Sequence, residues 1–157
     1  MENRFPSRKQ NRLAGFDYTK AALYFITICT EHRRKIFWAG EDGTLSKAGT
    51  VVRQEILELP DRFAYTEIER YAILPDHVHL MIALTPQSGD EGKAPNIRNV
   101  VGSLKARVSG KIGNGKTVWQ KSFYDHIIRN EKDYQEISKY IAYNPCKHYE
   151  IDCRDEL

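Results

Sequence analysis

Residues 66–84 read TEIERYAILPDHVHLMIAL, and this stretch decides the fold. It contains two runs rich in apolar, β-branched and aromatic residues, which predict strands over residues 66–74 and 77–84. Only Pro75 and Asp76 separate these runs. Sequential strands with so short a connection are most simply antiparallel neighbours, so we expect the two strands to pair with each other.

Three helices are predicted from their capping residues. Ser46 and Asn96 each precede apolar residues at helical spacing, and Pro60 is expected to end the first helix. The stripe of the second helix consists of Ile97, Val100, Val101, Leu104 and Val108. Asn130 opens the last helix, with an acidic residue three positions later. We expect that helix to end just before Pro145, because proline disfavours helical conformation in the residue before it.

The remaining elements complete the predicted order strand, helix, strand, strand, helix, strand, helix. Two further strands are predicted over residues 23–30 and 119–129, and a flexible polar loop over residues 87–95. This order favours an α+β fold, with a ferredoxin-like antiparallel sheet and helices packed on it. The 157 residues suit a single domain, preceded by a basic arm over residues 1–20.

Charge is distributed unevenly along the chain. The formal net charge is only +3, but between Gly92 and Tyr124 there is no Asp or Glu against seven Lys and Arg residues. Such a local positive field attracts a polyanion, although a solvated basic face is the alternative interpretation. The candidate nucleic-acid contacts in this segment and in the basic arm are Arg8, Lys9, Arg12, Arg98, Lys105, Arg107 and Lys111.

Cysteine usage and hydropathy indicate the compartment. Cys29, Cys146 and Cys153 are an odd set without CxxC spacing, which argues against a disulfide framework and favours a reducing environment. The N-terminus lacks an apolar signal core, and no stretch approaches membrane-spanning length. We therefore expect a cytoplasmic protein that does not bind membranes.

The third predicted strand carries a pair of histidines. Side chains alternate across a strand, so His77 and His79 should project from one face, with Val78 and Leu80 on the other. Two imidazoles about 7 Å apart along a strand can converge on one metal ion. The alternative is a pair of hydrogen-bonded polar residues beside a core.

The last predicted helix carries two further candidates. Tyr140 and Asn144 are four residues apart and therefore share a helix face. The carboxamide oxygen of Asn144 is a candidate third ligand, with the hydroxyl of Tyr140 one turn away. Taken singly, Asn144 is typical of a helix end and Tyr140 of core packing. Their occurrence together with the histidine pair is what favours a functional site.

These motifs resemble the HUH-type single-tyrosine transposases, and within them the REP-associated tyrosine transposases. In that family a His-hydrophobic-His strand faces a helix with one nucleophilic tyrosine. The segments that carry the resemblance are residues 12–18, 24–30, 74–79, 119–120 and 140–145.

The resemblance implies a role for each matching residue. His77, His79 and Asn144 match metal ligands, and Tyr140 matches the nucleophile; larger relatives often have Gln in place of Asn144. The nearby tyrosines that do not occupy the motif are Tyr134, Tyr143 and Tyr149. His126 also lies in a family-like segment, where we favour a strand histidine bonded to a neighbour over a catalytic role.

The resemblance further implies a transposase-type endonuclease and strand transferase. It would act on single-stranded or hairpin DNA through a 5′-phosphotyrosine, with Mg²⁺ or Mn²⁺; imidazoles would also accept Zn²⁺. Two other functions stay open: a non-catalytic domain that binds single-stranded nucleic acid, and a metal-dependent phosphoesterase that uses water. A homodimer and a monomer are both compatible with the resemblance.

Overall fold

The computed structural model of the chain describes residues 22–85, 96–113 and 115–150, with side chains described up to Tyr143. The basic arm and the loop over residues 87–95 lie outside the described residues. The strands are β1 (Ala22–Cys29), β2 (Thr66–Ile73), β3 (His77–Leu84) and β4 (Tyr124–Ile128). The helices are α1 (Lys47–Leu57), α2 (Leu59–Arg62), α3 (Ile97–Ile112) and α4 (Glu131–Glu150).

The four strands form one antiparallel sheet in the order β2-β3-β1-β4. The short connection at residues 75–76 makes β2 and β3 antiparallel neighbours, as the sequence predicts. Helix α1 lies between β1 and β2 in the chain, and α3 lies between β3 and β4. This arrangement confirms the α+β, ferredoxin-like antiparallel sheet, to which α4 is added at the end.

The sheet separates two apolar layers. The larger layer lies under α1 and α3 and includes Val78 and Leu80 of β3. The smaller layer lies under α4, where Ile137 and Ile141 pack with Phe25 and with other residues of the opposite sheet face. Side chains alternate along β3. Val78 and Leu80 therefore enter the larger layer, whereas His77 and His79 face α4.

All three predicted helix caps are present. The side-chain oxygens of Ser46, Asn96 and Asn130 each accept a hydrogen bond from a backbone N–H two or three residues later, at 3.0, 2.9 and 2.8 Å. A capping side chain satisfies one of the backbone donors that a helix start leaves open. Local sequence therefore fixes where these helices begin.

The ends of two helices differ from the prediction. Pro60 does not end the first helix: α1 stops at Leu57, and Pro60 lies in the first turn of the short α2. A proline is tolerated there because the first turn needs no N–H donor. Helix α4 also does not end before Pro145, since it continues to Glu150. A proline inside a helix removes one hydrogen bond, and the helix nevertheless continues through it.

The fourth strand is shorter than residues 119–129, because β4 begins only at Tyr124. Trp119 makes an isolated bridge to Thr30 and is buried, so packing rather than strand pairing explains its apolar character. The Lys105 ammonium donates to the carbonyl oxygens of residues 120–122, at 2.9, 3.3 and 3.4 Å. These carbonyls are thus satisfied outside the β-ladder. Among the described helices, none is both long and apolar enough to cross a bilayer.

Candidate metal and tyrosine site

The two histidines of β3 lie side by side beneath α4. His77 is 5% exposed and His79 is fully buried, and their ring centroids are 4.8 Å apart with the planes 76° to each other. This confirms that both side chains project from the same face of the sheet. Two buried imidazoles at this separation are close enough to bind one ion from adjacent positions.

Each imidazole is oriented through its Nδ1 atom. The Nδ1 atom of His77 is 2.7 Å from Oδ1 of Asp76, and that of His79 is 3.0 Å from the hydroxyl oxygen of Thr27. An ionised carboxylate only accepts hydrogen bonds, so His77 carries its proton on Nδ1. In this tautomer the Nε2 atom is the one suited to a metal, and such outer partners commonly orient metal-binding histidines.

Arg33 completes the surroundings of His77. Its Nε donates to Oδ2 of Asp76 at 3.2 Å, and its Nη2 approaches Nδ1 of His77 to 3.5 Å. Because a guanidinium has no acceptor and that Nδ1 carries a proton, the second approach is a contact and not a hydrogen bond. Burial alone would raise the pKa of Asp76, but the hydrogen bond from His77 and the charge of Arg33 lower it to about 2. Asp76 is therefore a carboxylate at any physiological pH.

The backbone that presents Arg33 adopts an unusual conformation. His32 and Arg33 have φ angles of 59° and 53°, in the left-handed region that residues other than glycine rarely occupy. Such conformations cost on the order of 1 kcal/mol or more each, and they persist only where surrounding contacts impose them. The ion pair between Arg33 and Asp76 is one of these contacts.

Tyr140 comes from the other side of the site, on α4. Its ring centroid is 5.2 Å from that of His79 and 6.2 Å from that of Phe25, and the Phe25 ring also stacks on His79 at 5.3 Å. Tyr140 is half-buried, whereas His79 and Phe25 are buried. The structure therefore brings the sequence-predicted tyrosine and histidines together at one point of the α4–sheet interface.

The other candidate tyrosines lie elsewhere on α4. The Tyr134 hydroxyl donates to Glu69 at the edge of the sheet, over 3.4 Å, and Tyr143 is 60% exposed. The side chains of Asn144 and Tyr149 lie outside the described part of the chain. The backbone of α4 does extend through Asn144, one turn beyond Tyr140.

The described side chains offer a cation two donors at this point, the imidazoles of His77 and His79. Within the side chains that the structure describes, no group of three His, Cys, Asp or Glu residues is arranged to hold a metal. Cys29 pairs with His77 across β1 and β3, but burial raises the pKa of its thiol, which disfavours the thiolate that a metal needs. Two adjacent imidazoles suit a divalent cation and would leave its other coordination positions open.

The predicted DNA contacts of α3 lie on the opposite side of the sheet from the histidines. Arg98 is exposed on the first turn of α3, whereas Lys105 is directed at the carbonyls of residues 120–122. Burial lowers the pKa of this lysine. Arg8, Lys9 and Arg12 lie outside the described residues. The structure thus does not bring the α3 residues to the histidine pair.

Two of the α3 cations bind a buried carboxylate. Glu55 of α1 is fully buried, and it contacts Arg107 Nε at 2.9 Å, Lys111 Nζ at 2.6 Å and Arg62 Nη1 at 3.2 Å. Burial alone would raise the pKa of Glu55, but the hydrogen bonds from Lys111 and Arg107 hold it below its usual value. Arg107 and Lys111 therefore contact a carboxylate within the fold, although about half of each side chain stays exposed.

Sequence reasoning missed Thr27, Arg33 and Asp76. Asp76 directly precedes the histidine pair, so its position was a usable signal. Thr27 and Arg33 are about 50 and 40 residues away in the chain, and they reach the histidines only through the β1–β3 register and a turn after β1. No local pattern marks them.

Comparison with known proteins identifies the family of the chain. The family described as "Transposase IS200 like" matches residues 18–144. A REP-associated tyrosine transposase of Escherichia coli is 30% identical over 131 residues, covering 83% of this chain and 70% of that protein. A protein of Haemophilus influenzae described as uncharacterized is 30% identical over 158 residues, covering 88% of both chains.

A solved structure shares the fold. It is described as a REP-associated tyrosine transposase bound to a REP hairpin, with a TM-score of 0.64 and 24% identity. The match covers 86% of this chain and 73% of that one. Together with the matched family and the E. coli relative, it leads to one conclusion: this chain is a member of the IS200-like transposase family, related to the REP-associated tyrosine transposases.

Proposed function

We propose that this transposase cuts and rejoins single-stranded DNA through a covalent 5′-phosphotyrosine on Tyr140. The observation that carries the proposal is the position of the Tyr140 ring, 5.2 Å from His79 across the α4–sheet interface. A tyrosine hydroxyl has a pKa near 10 and is a weak nucleophile at neutral pH. Placing it beside two potential metal ligands supplies the activation that it lacks.

We further propose that His77, His79 and Asn144 hold Mg²⁺ or Mn²⁺. The hydrogen bonds at both Nδ1 atoms support this role, because they occupy Nδ1 and leave Nε2 of each ring as the available ligand atom. When bound, the cation would polarise the phosphodiester and offset the charge that develops on its oxygens. Imidazole ligands also accept Zn²⁺.

The residues of the chain then perform the transfer. The Tyr140 oxygen attacks phosphorus, the bond from phosphorus to the 3′ oxygen breaks, and the phenol proton is lost to solvent. The departing 3′ oxygen takes up a proton and becomes a free hydroxyl, while the 5′ phosphate stays on the tyrosine. Since the new ester keeps the energy of the broken one, another 3′-hydroxyl can reverse the step and join a new strand without ATP.

The substrate that we propose is a hairpin-forming single strand. The structural relative bound to a REP hairpin supports this choice. Backbone contacts would come from the arm residues Arg8, Lys9 and Arg12, and from the exposed Arg98. Lys105, Arg107 and Lys111 would add mainly to the surrounding field, because carbonyl oxygens and Glu55 already bind these groups.

A labelled hairpin oligonucleotide incubated with the protein and Mn²⁺ tests the proposal. We expect a protein–DNA adduct that survives denaturation, that disappears in Tyr140→Phe and that persists in Tyr134→Phe. The second variant is a matched control, since it removes a hydroxyl from the same helix away from the histidines. Binding without cleavage would instead indicate a non-catalytic binding domain, and cleavage that survives Tyr140→Phe a phosphoesterase that uses water.

A further inference from the structure

A buried polar pair joins α4 to the sheet, outside the residues that face the cation site. Nε2 of His126 on β4 lies 2.9 Å from Oδ2 of Asp133 in the first turn of α4. His126 is fully buried and Asp133 is 5% exposed. This bond confirms the sequence interpretation of His126 as a strand histidine bonded to a neighbour. The position of the pair also relates it to the site of Tyr140.

The pair and the candidate active site share one face of the sheet. His126 pairs with Phe25 in the β1–β4 register, and paired residues of adjacent strands project to the same side. Phe25 in turn contacts the rings of both His79 and Tyr140. The sheet side of the polar pair is therefore continuous with the surface on which Tyr140 rests.

The helix side of the pair is also aligned with the site. Asp133 and Tyr140 are seven residues apart, which at about 100° per residue places them within about 20° of each other around the helix. They are separated by about 10 Å along the helix axis. A rotation of α4 by about 20° would move the ring of Tyr140 by about 2 Å, given a helix radius of about 5–6 Å with side chains. The hydrogen bond of Asp133 thus controls a rotation to which Tyr140 is sensitive.

Apolar packing alone would fix this rotation weakly. Ile137 and Ile141 bury their side chains under α4, but hydrophobic contact is non-directional. A buried hydrogen bond is directional, and misalignment would break the bond between Nε2 of His126 and Oδ2 of Asp133 away from water. Losing such a bond costs on the order of 1–3 kcal/mol for each buried group. The polar pair accordingly penalises rotations of α4 that the isoleucines would tolerate.

We propose that His126 and Asp133 are positioning residues for strand transfer: their bond sets the rotation of α4 and so holds Tyr140 at the histidine pair. The proposal rests on the proposed function, in which Tyr140 is the nucleophile. It assigns no contact with DNA or metal to either residue. The expected consequence is a slower chemical step without weaker substrate binding, since small misplacements of a reacting group reduce rate steeply.

Single-turnover adduct formation on the hairpin with Mn²⁺, at varied protein concentration, separates the chemical step from binding. We expect Asp133→Asn to slow the maximal rate by about 10- to 100-fold, with half-saturation changed less than about twofold. Glu55→Gln is the matched control, because it neutralises a buried carboxylate on the opposite side of the sheet, under α1 and α3. We expect its rate to stay near that of wild type, with urea unfolding used to compare the stabilities of the two variants.

His126→Gln and the double variant complete the test. If the pair acts as a unit, the double variant is no slower than the slower single variant; independent roles would multiply the two effects. If Asp133→Asn does not fold, His126→Gln provides a second variant that weakens the same hydrogen bond. The proposal would be overturned by any of three results. Glu55→Gln could slow the rate as much as Asp133→Asn does. Alternatively, the variants of His126 and Asp133 could fold and react at the wild-type rate, or could change only the half-saturation concentration. A wild-type protein that forms no adduct at all would instead overturn the proposed function.

Discussion

Asp76 orients His77 and pairs with the charge of Arg33. Removing the Asp76 carboxylate should therefore weaken metal binding. We expect Asp76→Asn to weaken Mn²⁺ binding by about 10- to 100-fold, because an amide does not hold the Nδ1 proton of His77 as a carboxylate does. Isothermal titration calorimetry with Mn²⁺ measures the affinity directly.

Asp42→Asn is the control for this measurement. Asp42 is also a carboxylate that accepts a hydrogen bond from a nearby backbone N–H, but it lies in an exposed loop between β1 and α1. Its substitution should leave Mn²⁺ affinity unchanged. Equal affinities for wild type and Asp76→Asn would show that the carboxylate does not orient the ligand.

Asp76 should also make the metal-free protein sensitive to acid. Its folded pKa of about 2 lies below the ordinary value of 3.8, so the ionised group stabilises the fold above pH 4 and ceases to do so as the pH falls toward 2. The shift corresponds to about 2 kcal/mol, of which about half is lost by pH 3. Urea unfolding at pH 6 and pH 3 should show a smaller loss of stability in Asp76→Asn than in wild type. Identical losses would contradict this role.

At the scale of elements, α4 depends on its cap. Asn130 accepts the backbone N–H of Asp133, so Asn130→Ala should reduce the free energy of unfolding by about 1 kcal/mol. Asn99→Ala, at an exposed position within α3, is the control and should cost little or nothing. Equal stabilities of the two variants in urea would mean that the cap does not stabilise α4.

The sequence predicts the elements well where the signal is local. The strand over residues 77–84 and the starts of α1, α3 and α4 follow from alternation and capping, which involve only neighbouring residues. Predictions were wrong at Pro60 and Pro145, where a single residue was expected to end a helix. They were also wrong for residues 119–123, whose apolar content serves packing rather than strand pairing.

At the scale of the whole molecule, we expect DNA cleavage and DNA binding to depend on residues on opposite sides of the sheet. The histidine pair faces α4, whereas the exposed Arg98 lies on α3 across the sheet. We expect His77→Ala or His79→Ala to abolish cleavage while hairpin affinity, measured by electrophoretic mobility shift, stays largely intact. A loss of affinity that parallels the loss of cleavage would contradict this division.

Hairpin affinity should also fall with salt. Phosphate contacts release counterions, so the logarithm of the binding constant should decrease linearly with the logarithm of salt concentration. Arg98→Ala should make this slope less steep, by about the contribution of one phosphate contact. Fluorescence anisotropy over a salt series measures it, and a flat response in wild type would contradict a basic DNA-binding surface.

The candidate site illustrates what sequence can and cannot supply. His77, His79 and Tyr140 are marked by their spacing within single elements. Thr27 and Arg33 are not, because long-range register and a left-handed turn bring them to the histidines. The pairing of Arg107 with Glu55 likewise depends on helix packing, which no local sequence pattern shows.

Mass spectrometry of the digested protein–DNA adduct is the most direct test of the central claim, that the phenol on α4 and the imidazoles on β3 act on one phosphate. The modified peptide should carry its nucleotide on Tyr140, with the 5′ phosphate as the link. A nucleotide on Tyr134 or Tyr143, or cleaved DNA with no modified tyrosine at all, would contradict it.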